Sequence, residues 1–183
     1  MNKLIKSDLY RSQGNLGSVA FINALRTDVS FQYMFVWRKI KMKSKINLIY
    51  RLVRKILYNH HGIEIPDSVQ IGAGMQMIHP RDITINSATI IGNNCTILKG
   101  VTIGSQLRGK RQGAPKIGDN VYLGLNSSIV GGIVIGNNVL IAPNAYVNFD
   151  VPDNSIVIGN PGVIHYSESA TAVYIKNIWD DNL

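Results

Sequence analysis

The sequence has a single cysteine, Cys95, among its 183 residues, so no disulfide can form within the chain. The first residues, MNKLIKSDLYRSQG, lack the apolar core and the small-residue cleavage site of a secretory signal. These absences favour a cytoplasmic protein over a secreted one. The inner face of the membrane is a second location, because the N-terminal region is rich in basic residues.

Charged side chains are missing from residues 120–149, a stretch long enough to cross a bilayer. Asn, Ser and Gly recur every few residues there, whereas a membrane-spanning helix would be mainly apolar. We therefore exclude a transmembrane helix in this stretch. The 17 glycines of the chain instead indicate many tight turns at short intervals.

Acidic residues are scarce in residues 1–60, where Asp8 and Asp28 stand against twelve Lys and Arg, a net charge of +10. The rest of the chain carries a net charge of −2, so the basic region is a separate module. Its apolar residues recur at helical spacing, which predicts two or three α-helices. Aromatic and basic residues mix over residues 31–58, which suits peripheral contact with an anionic membrane, although aromatic residues at helical spacing also pack against a neighbouring domain or subunit. Nucleic acid is not an expected partner, because no recognition motif is present.

From Ile65 onward one aliphatic residue returns every six positions, often followed by glycine. The positions are Ile65, Ile71, Met77, Ile85, Ile91, Ile97, Ile103, Ile117, Leu123, Ile129, Ile135, Ile141 and Val147. A period of six fits neither an α-helix nor a simple strand, but it suits a coil of triangular cross-section that turns one aliphatic residue inward on each flat side. We predict stacked coils over residues 61–165, followed by a tail at residues 166–183.

The repeats resemble those of a known family in the segments IGAGMQM, IIGNNCTILKGVTIG, PKIGDNVYLGLNSSI, IVIGNNVLIAPNAYV and VPDNSIVIGNPGVI. Over residues 62–165 the chain is similar to the hexapeptide-repeat acetyltransferases, in particular to the serine acetyltransferase-like branch. The resemblance implies a mainly β fold, a left-handed parallel β-helix preceded by an α-helical N-terminal segment. It also implies an acyltransferase that uses acetyl-CoA as co-substrate, requires no metal, and forms a homotrimer with each active site between two chains.

Two breaks interrupt the register, one of eight residues around His79 and one of fourteen that contains residues 105–115. Each break is two residues longer than the repeat allows, so chain is pushed out of the coil at both places. The second break is the loop SQLRGKRQGAP. In the resembling family such a loop reaches across a groove between subunits and helps to cover the CoA and acceptor sites, which gives Arg108 and Arg111 a substrate-binding role. A solvated surface loop is the alternative.

Acetyl transfer from a thioester to an alcohol requires a base that removes the hydroxyl proton and a donor for the oxyanion. His79 is the candidate base, because a register break turns a side chain outward and an imidazole titrates near neutral pH. A His at this position is the general base in the resembling family. Glu64 lies fifteen residues earlier, where the family usually has an Asp that hydrogen-bonds this imidazole. An exposed carboxylate without a role is the alternative for Glu64.

Three positions depart from the serine acetyltransferase pattern. Ile78 stands where those enzymes have an Asp, and Gly113 and Ala114 stand where they have an Arg-His pair. Loss of a bidentate guanidinium partner for a carboxylate costs about 2–5 kcal/mol, which makes free serine a poor acceptor. The predicted acceptor is therefore a sugar hydroxyl, in surface polysaccharide synthesis, since GAPKIG and DVPDNS resemble segments of bacterial polysaccharide O-acetyltransferases. Serine O-acetylation and N-acetylation of a nucleotide amino sugar are the enzymatic alternatives.

The resembling enzymes bind CoA along backbone groups of successive coils. By position, the candidates here are Ser105, Lys116, Gly124, Leu125, Ala142 and Pro143. Small residues let the pantetheine arm approach the backbone, although coil turns need the same residues. A carbonic anhydrase would need three His ligands on zinc, and the repeat offers only His79. A non-enzymatic β-helix scaffold is the alternative from another class, and it predicts no saturable acetyl-CoA binding.

Overall fold

The computed structural model describes residues 1–43 and 46–183, and within these ranges four α-helices precede fourteen short strands. The helices are α1 (Lys3–Gln13), α2 (Ser18–Thr27), α3 (Val29–Lys41) and α4 (Asn47–His61). The prediction of two or three helices was wrong. The turns between the first three helices are so short that helical spacing alone does not separate one helix from the next. Gly14 ends α1 in the left-handed conformation, and Asp28 both ends α2 and caps α3 by accepting the Phe31 N–H at 3.1 Å. None of the helices in these described ranges is long and apolar enough to cross a membrane.

The strands follow the helices without interruption by further helices in the described chain. They are β1 (Gln70–Ile71), β2 (Gln76–Ile78), β3 (Thr84–Ile85), β4 (Ile90–Ile91), β5 (Thr96–Leu98), β6 (Thr102–Gly104), β7 (Lys116–Ile117), β8 (Tyr122–Leu123), β9 (Ser128–Val130), β10 (Val134–Ile135), β11 (Val139–Ile141), β12 (Tyr146–Val147), β13 (Ser155–Ile158) and β14 (Val163–Tyr166).

Three sheets form the sides of a triangular prism. Sheet I contains β1, β4, β7 and β10, sheet II contains β2, β5, β8, β11, β13 and β14, and sheet III contains β3, β6, β9 and β12. Successive coils pair in parallel, and only the β13–β14 pair among the described strands is antiparallel. All thirteen repeat positions are buried in one continuous aliphatic core. The six-residue period therefore marks the inward residue of each side, as predicted.

Close stacking at the corner between sheets I and II explains why glycine follows the aliphatic residue. A Cβ atom added to Gly92 would lie 2.6 Å from the carbonyl oxygen of Gly118 in the next coil. Gly118 stands in the same relation to Gly136, at 2.7 Å. Two positions after these glycines, Asn94 and Asn120 adopt the left-handed conformation, which Asn tolerates better than most residues. The sequence IGxN is therefore required by the corner itself.

The N-terminal helices cap the first coil, which has no preceding coil to pair with. Arg38 of α3 donates to the carbonyl oxygens of Ile71 at 2.7 Å and Gly72 at 2.6 Å. The same guanidinium pairs with the buried Asp8 of α1, Nε to Oδ2 at 3.0 Å, and Asp8 also accepts the N–H of Met75 at 2.9 Å. This buried pair therefore replaces the missing coil as a hydrogen-bonding partner.

Further side chains of α1 and α3 satisfy other free backbone groups of the first coil. The hydroxyl of Ser7 accepts the N–H of Gly74, and the hydroxyl of Ser30 accepts the N–H of Met77. Arg11 donates to the carbonyl oxygen of Gly74. The Tyr33 hydroxyl donates to the Ile63 carbonyl oxygen and accepts the N–H of Ile65. Phe31, Tyr33 and Trp37 are buried. These three aromatic residues of α3 thus pack inside the protein, in agreement with the alternative to membrane contact.

The chain after β14 returns along the prism toward the helices. Asn94 accepts the Trp179 N–H at 2.8 Å and donates to the Trp179 carbonyl at 3.1 Å. The indole of Trp179 also meets the ring of Tyr10 edge to face, with centroids 6.1 Å apart. Residues 167–183 therefore connect the coils to helix α1 and are part of the folded body.

Candidate functional site

His79 lies where sheet II meets sheet III, at the end of the first coil. Ile78 pairs with Leu98, and Thr84 pairs with Thr102. The connection between these paired positions is therefore two residues longer in the first coil than in the second. The side chain of His79 is exposed, and its backbone has a φ of +50°. A non-glycine residue in this region costs about 1–3 kcal/mol and is typical of functional sites. The register break thus presents an outward imidazole, as the sequence predicted.

Four of the predicted CoA residues lie on the same edge, which we call the II–III edge. Gly124 and Leu125 follow β8, and Ala142 and Pro143 follow β11. A Cβ on Gly124 would meet the Ile141 carbonyl oxygen at 2.7 Å, so coil stacking alone requires this glycine. The N–H groups of Gly124 and Ala142 are bonded to carbonyls of the next coil, at 2.8 Å each. Binding of CoA along this edge stays a prediction.

The loop of residues 105–115 lies on a different edge, between sheets III and I, which we call the III–I edge. It is closed at its base by two backbone hydrogen bonds of 2.9 Å between Gln106 and Gly113. Arg111 is turned back onto its own chain, where its guanidinium donates to the Asn148 carbonyl oxygen. Arg108 is exposed and extends from the loop. Of the two predicted substrate-binding arginines, Arg108 therefore has the freer side chain.

The remaining predicted residues of the second break flank this loop. Ser105 accepts a hydrogen bond from the Asn86 side chain at 3.0 Å, Ala114 is half-buried beside Gly113, and Lys116 is exposed on β7 of sheet I. Ile78 is half-buried next to His79. The predicted site residues consequently form two groups on two edges of the prism, separated by sheet III, and no single chain brings them together.

Glu64 opens sheet III through a bridge to Thr84 and is exposed. It lines a cavity of about 390 Å³ under helix α4, together with Arg54 and Tyr58. Among the hydrogen bonds of residues 1–43 and 46–183, none joins Glu64 to His79. Their pairing stays a prediction, and it requires a water molecule or a change of rotamer.

A polar cleft beside this corner was missed by sequence reasoning. His60, His61, Arg81 and Asp82 line a cavity of about 620 Å³, where Arg81 donates to the His60 carbonyl at 3.1 Å and Asp82 N donates to the His61 carbonyl at 2.8 Å. Burial, and then the positive charges of Arg81 and His60, lower the pKa of His61. The signal available in the sequence was the position of Arg81 and Asp82 within the first register break.

Comparison with known proteins shows which families the chain resembles. Residues 114–148 match the model of the bacterial transferase hexapeptide family (six repeats). The chain is 39% identical to a serine acetyltransferase of Staphylococcus xylosus over 124 residues, which are 67% of this chain and 56% of that protein. It is 38% identical to serine acetyltransferase 2 of Arabidopsis thaliana over 100 residues, 55% of this chain and 31% of that protein. The chain thus spans about half or less of the length of these relatives.

Solved structures show the same likeness. Serine acetyltransferase of Neisseria gonorrhoeae has a TM-score of 0.73 at 27% identity, covering 90% of this chain and 64% of that chain. The soybean apoenzyme has a TM-score of 0.72 at 26% identity, covering 88% and 67%. These structures confirm the predicted mainly β fold, a left-handed parallel β-helix preceded by helices, whereas a special closeness to polysaccharide O-acetyltransferases is not supported. Residues 114–148 thus match bacterial transferase hexapeptide repeats, and the chain is similar in sequence and fold to serine acetyltransferases.

Proposed function

We propose that this chain is an acetyl-CoA-dependent O-acetyltransferase and that His79 is its general base. The observation that carries the proposal is the exposed imidazole at the two-residue break on the II–III edge, in a chain similar to serine acetyltransferases. Its left-handed backbone holds the ring outward, where a hydroxyl acceptor can reach it.

In the proposed reaction, His79 takes the proton of the acceptor hydroxyl while the hydroxyl oxygen attacks the carbonyl carbon of the thioester. The carbon–sulfur bond then breaks, the acetyl group remains on the acceptor oxygen, and CoA leaves as a thiolate that takes up a proton. Glu64 orients the imidazole through water in this scheme. The II–III edge holds the pantetheine arm along Gly124, Leu125, Ala142 and Pro143, and Ser105 and Lys116 contact CoA from the other edge.

A complete site then requires two chains, because the two groups of site residues lie on different edges of one prism. We propose a homotrimer in which the II–III edge of one chain faces the III–I edge of its neighbour. A closed threefold ring forms three such contacts with identical geometry. In this arrangement Arg108 reaches toward the neighbour's His79, while Arg111 anchors the loop on its own chain.

Serine is the acceptor that the comparisons favour, since the relatives and the solved structures are serine acetyltransferases. A sugar hydroxyl is the second candidate. It rests on Ile78, Gly113 and Ala114, which offer no charged partner to the ammonium or carboxylate of serine. An amino group of a nucleotide sugar is a weaker third candidate.

The test is release of CoA thiol from acetyl-CoA in the presence of serine, of nucleotide sugars and amino sugars, or of polysaccharide fragments. We expect one acceptor class to stimulate release, and His79→Ala to lower kcat by about 10²–10⁴-fold, as for removal of a general base. His165→Ala is the matched control, because His165 is exposed on β14 away from both edges. Full activity of His79→Ala would remove His79 from the mechanism. Absence of acetyl-CoA binding would favour the scaffold.

A further inference from the structure

Helix α4 contacts the protein through a mixed face that includes Arg54 and Leu57, and its most apolar face is turned toward solvent. Arg51 and Arg54 both pair with Asp67 of the first coil, with 3.0 Å between Arg51 Nη2 and Asp67 Oδ2. Leu48 and Leu52, in contrast, are 73% and 56% exposed, and no side chain of the helix is fully buried. A surface helix normally buries its apolar stripe against the core. In α4, by contrast, most of the apolar residues remain exposed.

The exposed apolar residues form one continuous stripe. They are Leu48, Ile49, Leu52, Val53 and Ile56, with Met42 and Ile46 exposed just before the helix. Residues three and four apart lie on the same face of a helix, so these side chains adjoin one another. Two residues of α4 turn elsewhere, since Tyr50 packs edge to face on Phe35 and Leu57 packs against the core. Soluble monomers rarely leave such a contiguous aliphatic patch in water, so a partner must cover it.

The charge around the stripe indicates the kind of partner. Lys55 is exposed beside Ile56, Lys43 is exposed between α3 and α4, and residues 1–60 carry a net charge of +10. A second copy docked on this face would bring these like charges together, which is unfavourable. An anionic lipid surface would accept the aliphatic side chains and neutralise the lysines at the same time.

We propose that α4 binds the surface of an anionic lipid bilayer, with its axis in the membrane plane and the Leu48–Ile56 stripe inserted among the lipids. Fifteen residues make a helix about 22 Å long, too short to span the bilayer. Arg51, Arg54 and Asp67 keep the opposite side of the helix attached to the first coil. The β-helix then stands on the membrane through its capped N-terminal end. This inference does not depend on the proposed acetyl transfer.

The test is co-sedimentation of the full chain with vesicles of equal parts phosphatidylglycerol and phosphatidylcholine, compared with vesicles of phosphatidylcholine alone, at two salt concentrations. We expect binding to the anionic vesicles that weakens as salt rises. Leu52→Glu combined with Ile56→Glu should weaken binding at least tenfold, and Lys55→Gln should weaken it about fivefold, the effect of one positive charge near the surface. Val173→Glu is the matched control, because Val173 is an equally exposed aliphatic residue outside the helices.

Circular dichroism melting shows whether each variant is folded, and Lys55→Gln carries the test if the double variant is not. The proposal is overturned if the natural chain ignores anionic vesicles, or if Val173→Glu and the α4 variants bind equally well. Light scattering without lipid tests the other possible partner of the stripe, a second copy of this chain. A larger mass for the natural chain than for the double Glu variant would make the stripe an interface between copies, which also overturns the proposal.

Discussion

Replacement of Arg38 by Met should detach or unfold the capped end of the β-helix. Arg38 is 2% exposed, and its guanidinium holds the Asp8 carboxylate and the carbonyl oxygens of Ile71 and Gly72. Breaking a buried ion pair costs about 3–5 kcal/mol, and each buried carbonyl left unpaired costs about 1–3 kcal/mol. At the lower end of these ranges the loss is about 5 kcal/mol, which is comparable to the whole stability of many domains.

The pH dependence of this variant follows from Asp8. Burial raises the pKa of the Asp8 carboxyl above its ordinary value, and the charge of Arg38 opposes that rise. Without Arg38 the pKa should rise further, so the folded state would bind a proton more tightly than the unfolded state. Stability of Arg38→Met is then retained at low pH and lost as the pH rises through the raised pKa of the folded state. Asp8→Asn in the same chain should remove this dependence and restore part of the stability.

Urea unfolding followed by circular dichroism at pH 5 and pH 8 measures these effects. Arg26→Met is the control, since Arg26 is an exposed arginine of the neighbouring helix α2, and its replacement should change stability by less than about 0.5 kcal/mol. The reasoning is refuted if Arg38→Met costs less than about 3 kcal/mol, or if Asp8→Asn destabilises the Arg38→Met chain further.

Two other predictions concern the packing of the coils. Gly92→Ala should lower the stability by about 1–3 kcal/mol in urea unfolding, because its Cβ would lie 2.6 Å from the Gly118 carbonyl oxygen. Gly104→Ala is the control and should be nearly neutral, because its nearest neighbouring atom would be 3.7 Å away; equal effects would contradict the stacking argument. Burial raises the pKa of the Cys95 thiol to about 12. An aromatic disulfide reagent at pH 8 should therefore leave the folded chain unmodified, and it should react with one thiol once the chain is unfolded in urea. Rapid reaction of the folded chain would show that the core is open.

The repeats predicted the β-helix because the steps share two local requirements. Each step needs an inward aliphatic residue, such as Ile97 or Leu123, and the corner between sheets I and II needs a glycine such as Gly118. These requirements are met within one coil and its neighbour, so the sequence pattern is sufficient to reveal them. The outward position of His79 was predictable for the same reason, since a departure from a strict period is visible without knowledge of tertiary contacts.

Tertiary partners were not visible in the same way. Asp8 and Arg38 are thirty residues apart and belong to different helices, and nothing in their spacing predicts that they meet beneath the first coil. Helical spacing of the apolar residues predicted helices in the basic region, but periodicity shows only that an apolar face exists. The side of helix α4 that faces the protein depends on the salt bridges of Arg51 and Arg54 with Asp67.

The central claim is that each acetyl-transfer site combines the His79 edge of one chain with the loop edge of another. Co-refolding of His79→Ala with a chain carrying Arg108→Glu and Lys110→Glu tests it directly, because each parent lacks one edge of every site. Random trimers of the two chains would restore about a quarter of the sites, so we expect activity in the mixture to rise far above that of either parent alone. Activity that stays at the level of the parents, with both chains folded and assembled, would contradict a site shared between chains.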